Sequence, residues 1–124
     1  MLKIIALLHN REICHRDINP ANIIWKINNV DGGQTYLIDF GVACYVNDYP
    51  GPTVGTLNYI LPEVVENGSF GTPKELLATD IYGLGVVLYY YIIGEFPYKL
   101  ESRGRGRGRG KYRVLTDVDP FVSR

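Results

Sequence analysis

Apolar residues dominate Leu2 to Asn10, with His9 and Asn10 at its end, and this stretch reads as the closing part of an apolar helix. Two short runs rich in β-branched and aromatic residues follow, Ile23 to Ile27 and Thr35 to Ile38, on either side of the polar stretch Asn28 to Gly33. Asp31-Gly32-Gly33 is a strong turn signal, so the two runs are expected to pair as a small hairpin. Pro62 to Glu66 reads as a brief helix. The longest feature is the apolar run Ile81 to Ile93. Thr79 or Asp80 is expected to cap a helix over it, Gly94 to close it, and Pro97 to stop the chain from continuing. Because that helix is apolar nearly all round, it is expected to be buried on every side. Together the pattern predicts a mainly helical α+β fold with one small hairpin.

Composition sharpens this picture in three places. At 124 residues and 46% hydrophobic content, one domain with a core of moderate size is expected. The formal net charge of zero hides an asymmetry: residues 1–98 carry five Lys/Arg against ten Asp/Glu, and residues 99–124 carry eight against three. The chain therefore divides into an acidic body, 1–98, and a basic, flexible tail or insertion, 99–124. Within the tail, Arg103 to Gly110 alternates arginine and glycine, a composition suited to contact with RNA or another polyanion; a disordered insertion without a role is the simpler account.

Cys14 and Cys44 stand in no C-x-x-C or histidine-spaced metal pattern and read as small buried hydrophobes in a reducing compartment. The apolar stretch at the start is only five residues long with no small-residue cleavage site after it, so no signal peptide is expected. The run Ile81 to Ile93, at thirteen residues, is short for a bilayer of about 30 Å. No membrane element is expected, and a cytoplasmic, intracellular protein is the default.

The chemistry is concentrated in His15-Arg16-Asp17-Ile18-Asn19-Pro20-Ala21-Asn22 and, further on, Asp39-Phe40-Gly41. A carboxylate and an amide stand five positions apart on one loop, and a second carboxylate follows on another. Phosphoryl transfer needs such a set: one carboxylate to orient an attacking hydroxyl and take its proton, and hard oxygen ligands for magnesium bridging the phosphates of a nucleotide. In order and spacing the two motifs resemble the catalytic and metal-binding loops of eukaryotic-type protein kinases. Three further segments extend the likeness. Gly55-Thr56-Leu57-Asn58-Tyr59-Ile60-Leu61-Pro62-Glu63 resembles the end of the family's activation segment, with Leu61 where the family usually has Ala. Asp80-Ile81-Tyr82-Gly83-Leu84-Gly85 resembles the start of its long central helix, and Gly94-Glu95-Phe96-Pro97-Tyr98 the exit turn.

The resemblance implies the large lobe of the kinase fold and a Ser/Thr-type enzyme acting on proteins with ATP and magnesium. It implies Asp17 as catalytic base, Asn22 and Asp39 as magnesium ligands, and Ile24 as an apolar floor under the adenine. His15 would brace the loop, and Arg16 would offer a bidentate fork to a phosphate on the activation segment. Gly41 would belong to the metal loop, Asp80 to the head of the central helix, and Thr56 would tie the activation segment to the catalytic loop. Glu63 would pair with a late arginine, for which Arg124 is the candidate outside the basic tail. Asn19 departs from the family, whose Ser/Thr members usually carry a charged Lys there, and losing such a donor typically costs about 2.7 to 4 kcal/mol of transition-state stabilisation. Neither a Gly-rich phosphate loop nor a strand lysine is present, so the small lobe is absent and a large-lobe fragment, inactive alone, is expected. Asn19 and that absence leave a second reading open, a non-catalytic kinase-like docking module.

Overall fold

The computed structural model describes residues 1–48, 52–102 and 112–115. The chain opens with α1 (Leu2–Asn10), followed by β1 (Ile13–Cys14), β2 (Ile23–Lys26), β3 (Gln34–Leu37) and β4 (Cys44–Tyr45). Two helices, α2 (Pro62–Asn67) and α3 (Pro73–Ile93), precede a last pair of strands, β5 (Lys99–Ser102) and β6 (Tyr112–Leu115). Short 3-10 turns at Pro20–Asn22, Val46–Asp48 and Leu57–Tyr59 link these elements. Among the described residues, helices with three two-stranded antiparallel sheets make this an α+β fold.

The expected hairpin forms. β2 pairs with β3 in the register Ile23↔Leu37, Ile24↔Tyr36, Trp25↔Thr35 and Lys26↔Gln34. Its turn is built as the residues dictate: Asn28 Oδ1 accepts the amides of Val30 and Asp31, and Gly32 takes the left-handed φ of 89° that a side chain would resist. The brief helix α2 also forms where expected and ends at Gly68, with φ of 76°.

α3 departs from expectation in two ways. It starts at Pro73, well before Thr79 or Asp80, because Thr72-Pro73-Lys74-Glu75 supplies a complete start signal. Thr72 Oγ1 accepts the Glu75 amide at 3.2 Å, proline occupies the first turn, and Glu75 reaches back to the Gly71 amide at 2.6 Å. Thr79 instead turns its hydroxyl onto the Glu75 carbonyl, and Asp80 lies fully buried mid-helix. The helix closes at Gly94 as expected, with φ of 83°.

Nor is α3 buried all round. Leu76, Thr79, Asp80, Gly83, Leu84, Val86 and Val87 form its inner stripe, while Ile81, Leu88, Tyr91 and Ile92 are exposed, Ile92 to 80%. The thirteen apolar residues thus belong to a helix of 21, which by length and composition is long enough to cross a membrane, with 39% of its apolar window buried inside the protein.

Among the described residues, two clusters of buried side chains form the core. One gathers Cys14, Val46, Ile60, Val64, Val65, Phe70 and Leu76; the other gathers Ile5, Ile18 and Leu84. The segment His15 to Asn22 hangs between them, anchored by Cys14 in one and Ile18 in the other. In the basic region, β5 and β6 pair from Lys99↔Leu115 to Ser102↔Tyr112. Arg103 to Gly110 and Arg124, on which the polyanion and ion-pair expectations fall, lie outside the described residues.

Candidate functional site

The loop after β1 is held from below by Asp80. Its Oδ1 accepts the Arg16 amide and its Oδ2 the His15 amide, both at 2.9 Å, and His9 Nε2 at the end of α1 lies 2.9 Å from Oδ2. A carboxylate with no exposed surface is tolerated there because donors meet both of its oxygens. Sequence reasoning placed Asp80 at a helix start and passed over His9. Cys14 Sγ also falls within 4.8 Å of the His9 and Asp80 ligand atoms, but these hydrogen bonds already engage Asp80 and His9. The same close packing explains Gly83: a Cβ there would come within 2.9 Å of the Ile18 carbonyl and 3.1 Å of that of Tyr59.

His15 joins the two motif loops. Its Nδ1 accepts the Asp17 amide at 3.1 Å, so Nε2 carries the proton and donates to the Ile38 carbonyl at 2.8 Å. Its ring meets Phe40 edge-on, with centroids 4.9 Å apart. Fully buried and locked in one tautomer, His15 braces the loop and has no free nitrogen for proton transfer. Arg16 sits at a left-handed φ of 69°, donates from Nε to the Val42 carbonyl at 2.6 Å, and lies with Cζ 6.0 Å from the Phe70 ring centre. One of its terminal nitrogens is buried with no hydrogen-bond partner among the described residues.

Asp17 is half-buried at the centre of the polar cluster. Its Oδ1 accepts from Asn19 Nδ2 at 2.8 Å, Thr56 Oγ1 at 2.8 Å and the Thr56 amide at 3.0 Å. Its Oδ2 accepts only from Asn22 Nδ2, at 3.1 Å, among the described residues. The Asn19 side chain works at both ends: Nδ2 also reaches Thr56 Oγ1 at 3.2 Å, and Oδ1 caps the 3-10 turn through the Ala21 amide at 2.9 Å. Thr56 is delivered by Gly55, at φ of 108°, where a Cβ would meet the Arg16 carbonyl. Asp17, Asn19, Asn22 and Thr56 therefore form one hydrogen-bonded unit.

The Asn22 carbonyl accepts the Ile38 amide at 2.9 Å, which brings the end of the first loop beside Asp39. Asp39 is exposed at a left-handed φ of 61°, and its Oδ1 accepts the Gly41 amide at 3.2 Å. With Asn22 Nδ2 directed at Asp17, Asn22 Oδ1 and the Asp39 carboxylate supply hard oxygen donors of the kind magnesium selects. Ile24 is partly exposed on β2, opposite Tyr36. Glu63 is exposed in the first turn of α2, outside the polar cluster.

This arrangement coincides with a family signature along nearly the whole chain: the protein kinase domain model matches residues 1–114. The chain belongs to the protein kinase family. Among similar proteins, this chain is 36% identical to MAP kinase kinase skh1/pek1 of Schizosaccharomyces pombe, over 79% of this chain and 25% of that protein. It is 44% identical to serine/threonine-protein kinase PSK2 of Saccharomyces cerevisiae, over 73% of this chain and 8% of the relative. Mitogen-activated protein kinase kinase 7 of Arabidopsis thaliana is 34% identical, over 78% of this chain and 31% of its own length. This chain thus spans under a third of the length of each of these relatives.

Proposed function

We propose that this chain is the catalytic-loop portion of a kinase large lobe, and that the complete enzyme transfers the terminal phosphoryl group of ATP to serine or threonine hydroxyls of proteins. The observation that carries the reading is the unequal use of the two Asp17 oxygens. Oδ1 is held by three donors that fix the carboxylate's orientation, whereas Oδ2 keeps acceptor capacity toward a substrate hydroxyl. Thr56, in contact with Asp17, belongs to the segment that would carry the substrate, which supports Ser/Thr specificity.

Asn22 and Asp39 would hold magnesium, which when bound neutralises the phosphate oxygens, and Ile24 would lie under the adenine. Asp17 orients the attacking hydroxyl and accepts its proton. Asn19 holds Asp17 and Thr56 together without contributing charge. Arg16, one of whose buried terminal nitrogens finds no partner among the described residues, would accept a phosphate on the activation segment.

The test joins the chain to a compatible small lobe and the remaining large-lobe helices and follows labelled phosphate from ATP into a generic Ser/Thr substrate. Magnesium-dependent transfer is expected, and Asp17→Asn or Asp39→Asn should abolish it. Transfer by the completed kinase that is indifferent to Asp17→Asn would overturn the assignment. No transfer in the completed kinase, with stable partner binding, would favour the docking module, the reading that Asn19 in place of lysine supports.

A further inference from the structure

We infer that Cys14 and Cys44 form an oxidative modification site, at which a peroxide or a low-molecular-weight disulfide converts the two thiols into one cross-strand disulfide. The site stands apart from the proposed phosphotransfer, and its test reads thiols rather than activity.

The geometry comes from the smallest sheet. β1 and β4 are antiparallel, and Cys14 is the direct register partner of Cys44. Directly opposed residues of such a pair project to the same face, and Cys44 packs against the buried cluster that contains Cys14. On the same ladder the Val46 amide donates to the Glu12 carbonyl at 2.7 Å, which makes Glu12 and Val46 a hydrogen-bonded pair. Alternation along an antiparallel ladder then makes Cys14 and Cys44 a hydrogen-bonded pair as well, for which the Cα separation is about 5.5 Å. That lies within the ~4.4 to 6.8 Å a disulfide spans. Both cysteines are free thiols in this structure.

Burial assigns the order of events. Cys14 is wholly buried and Cys44 is half-buried, so an oxidant reaches Cys44 first. Burial pushes the Cys14 thiol up to about 12, with Asp80 and Cys44 adding in the same direction. It also raises Cys44, where the nearby Arg16 acts in the opposite sense. Cys14 is therefore a poor initiator and serves as the resolving thiol once an electrophilic sulfur stands opposite it.

With hydrogen peroxide, the Cys44 thiolate attacks one oxygen, the O–O bond breaks, and a proton completes one water as Cys44 becomes a sulfenic acid. The Cys14 sulfur then attacks the sulfenic sulfur. The S–O bond breaks, and the departing hydroxide takes the Cys14 proton and leaves as a second water. Two thiols lose two electrons and the peroxide gains two. With a small disulfide the same sulfurs exchange through a mixed disulfide on Cys44 and release two small thiols.

The bond would staple two segments that carry the site. Cys14 immediately precedes His15, Arg16 and Asp17, and Cys44 lies two residues beyond Val42, whose carbonyl already receives Arg16 Nε. Oxidation would make that junction covalent and leave the hydrogen bonds of Asp17 in place.

The experiment treats the folded 124-residue chain with hydrogen peroxide, and separately with oxidised glutathione, then blocks free thiols and maps peptides by mass. The expected result is a loss of about 2 Da, simultaneous loss of both free thiols, and a linked Cys14–Cys44 peptide reversed by dithiothreitol. The folded chain should form the link at least about tenfold faster than the denatured chain, because the register supplies the proximity. An upward shift of the melting temperature on oxidation, reversed by reduction, should accompany it. In Cys44→Ser, Cys14 should stay unmodified while the chain is folded. In Cys14→Ser, Cys44 should stop at a sulfenic acid or a glutathione adduct. Oxidation confined to Cys44 in the unaltered chain, links only between chains, or equal rates in the folded and denatured states would each overturn the site, without bearing on the kinase reading.

Discussion

Asn19 uses its side chain twice, donating to Asp17 and Thr56 from nitrogen and capping the turn Pro20–Asn22 from oxygen. A lysine can supply the donor, and with it a charge, but never the acceptor. Asn19→Lys is therefore expected to raise phosphotransfer in the completed kinase if charge limits the rate, and to lower stability by about 1 kcal/mol through the lost cap. Denaturant melts and initial rates measured on the same protein separate the two effects. A variant that gains nothing in rate would show that geometry, not charge, is what this position supplies. Asp17, Asn22 and Asp39 were singled out by residue type and spacing and Thr56 by the family resemblance, and the structure joins Asp17, Asn22 and Thr56 by hydrogen bonds. Asn19 stood out in the sequence only as a departure from the family's lysine; its two-ended use did not, because the cap depends on a turn that only the fold defines.

At the scale of elements, the sequence was readable where local chemistry decides and silent where distant partners do. The β2–β3 hairpin followed from its turn residues. β1 and β4 were invisible, because two-residue strands separated in the chain by a hairpin and both motif loops acquire their identity only from each other. The start of α3 was misjudged for a different reason. Lys74, Glu75 and Thr79 interrupt the apolar run, which drew the boundary toward Asp80, although Thr72-Pro73-Lys74-Glu75 is a full start signal. That error hid the role of Asp80, since a carboxylate at a helix start and one buried at mid-helix are the same letter. Asp80→Ala should leave the buried amides of His15 and Arg16 without an acceptor, at about 1 to 3 kcal/mol each. A denaturation midpoint within error of the parent would contradict the clamp.

At the scale of the molecule, α1 and α3 leave an open, mainly apolar groove of about 530 Å³, bordered by Met1, Leu2, Lys3, Ile81, Leu84, Gly85 and Leu88. With Tyr91 and Ile92 also exposed, the isolated chain should self-associate. Light scattering should show species above the monomer mass that diminish in Ile81→Lys, and a monodisperse parent would refute the expectation. The suspension of the catalytic loop between two cores, with α3 contributing to both, has its own consequence in time rather than space. The amides of His15 and Arg16 point at a carboxylate fixed inside α3, so their hydrogens should exchange with solvent only when α3 itself opens. The Gly41 amide, bonded to exposed Asp39, should exchange orders of magnitude sooner. Exchange mass spectrometry should then divide the site into a slow half that keeps the tempo of the core and a fast half that moves independently of it.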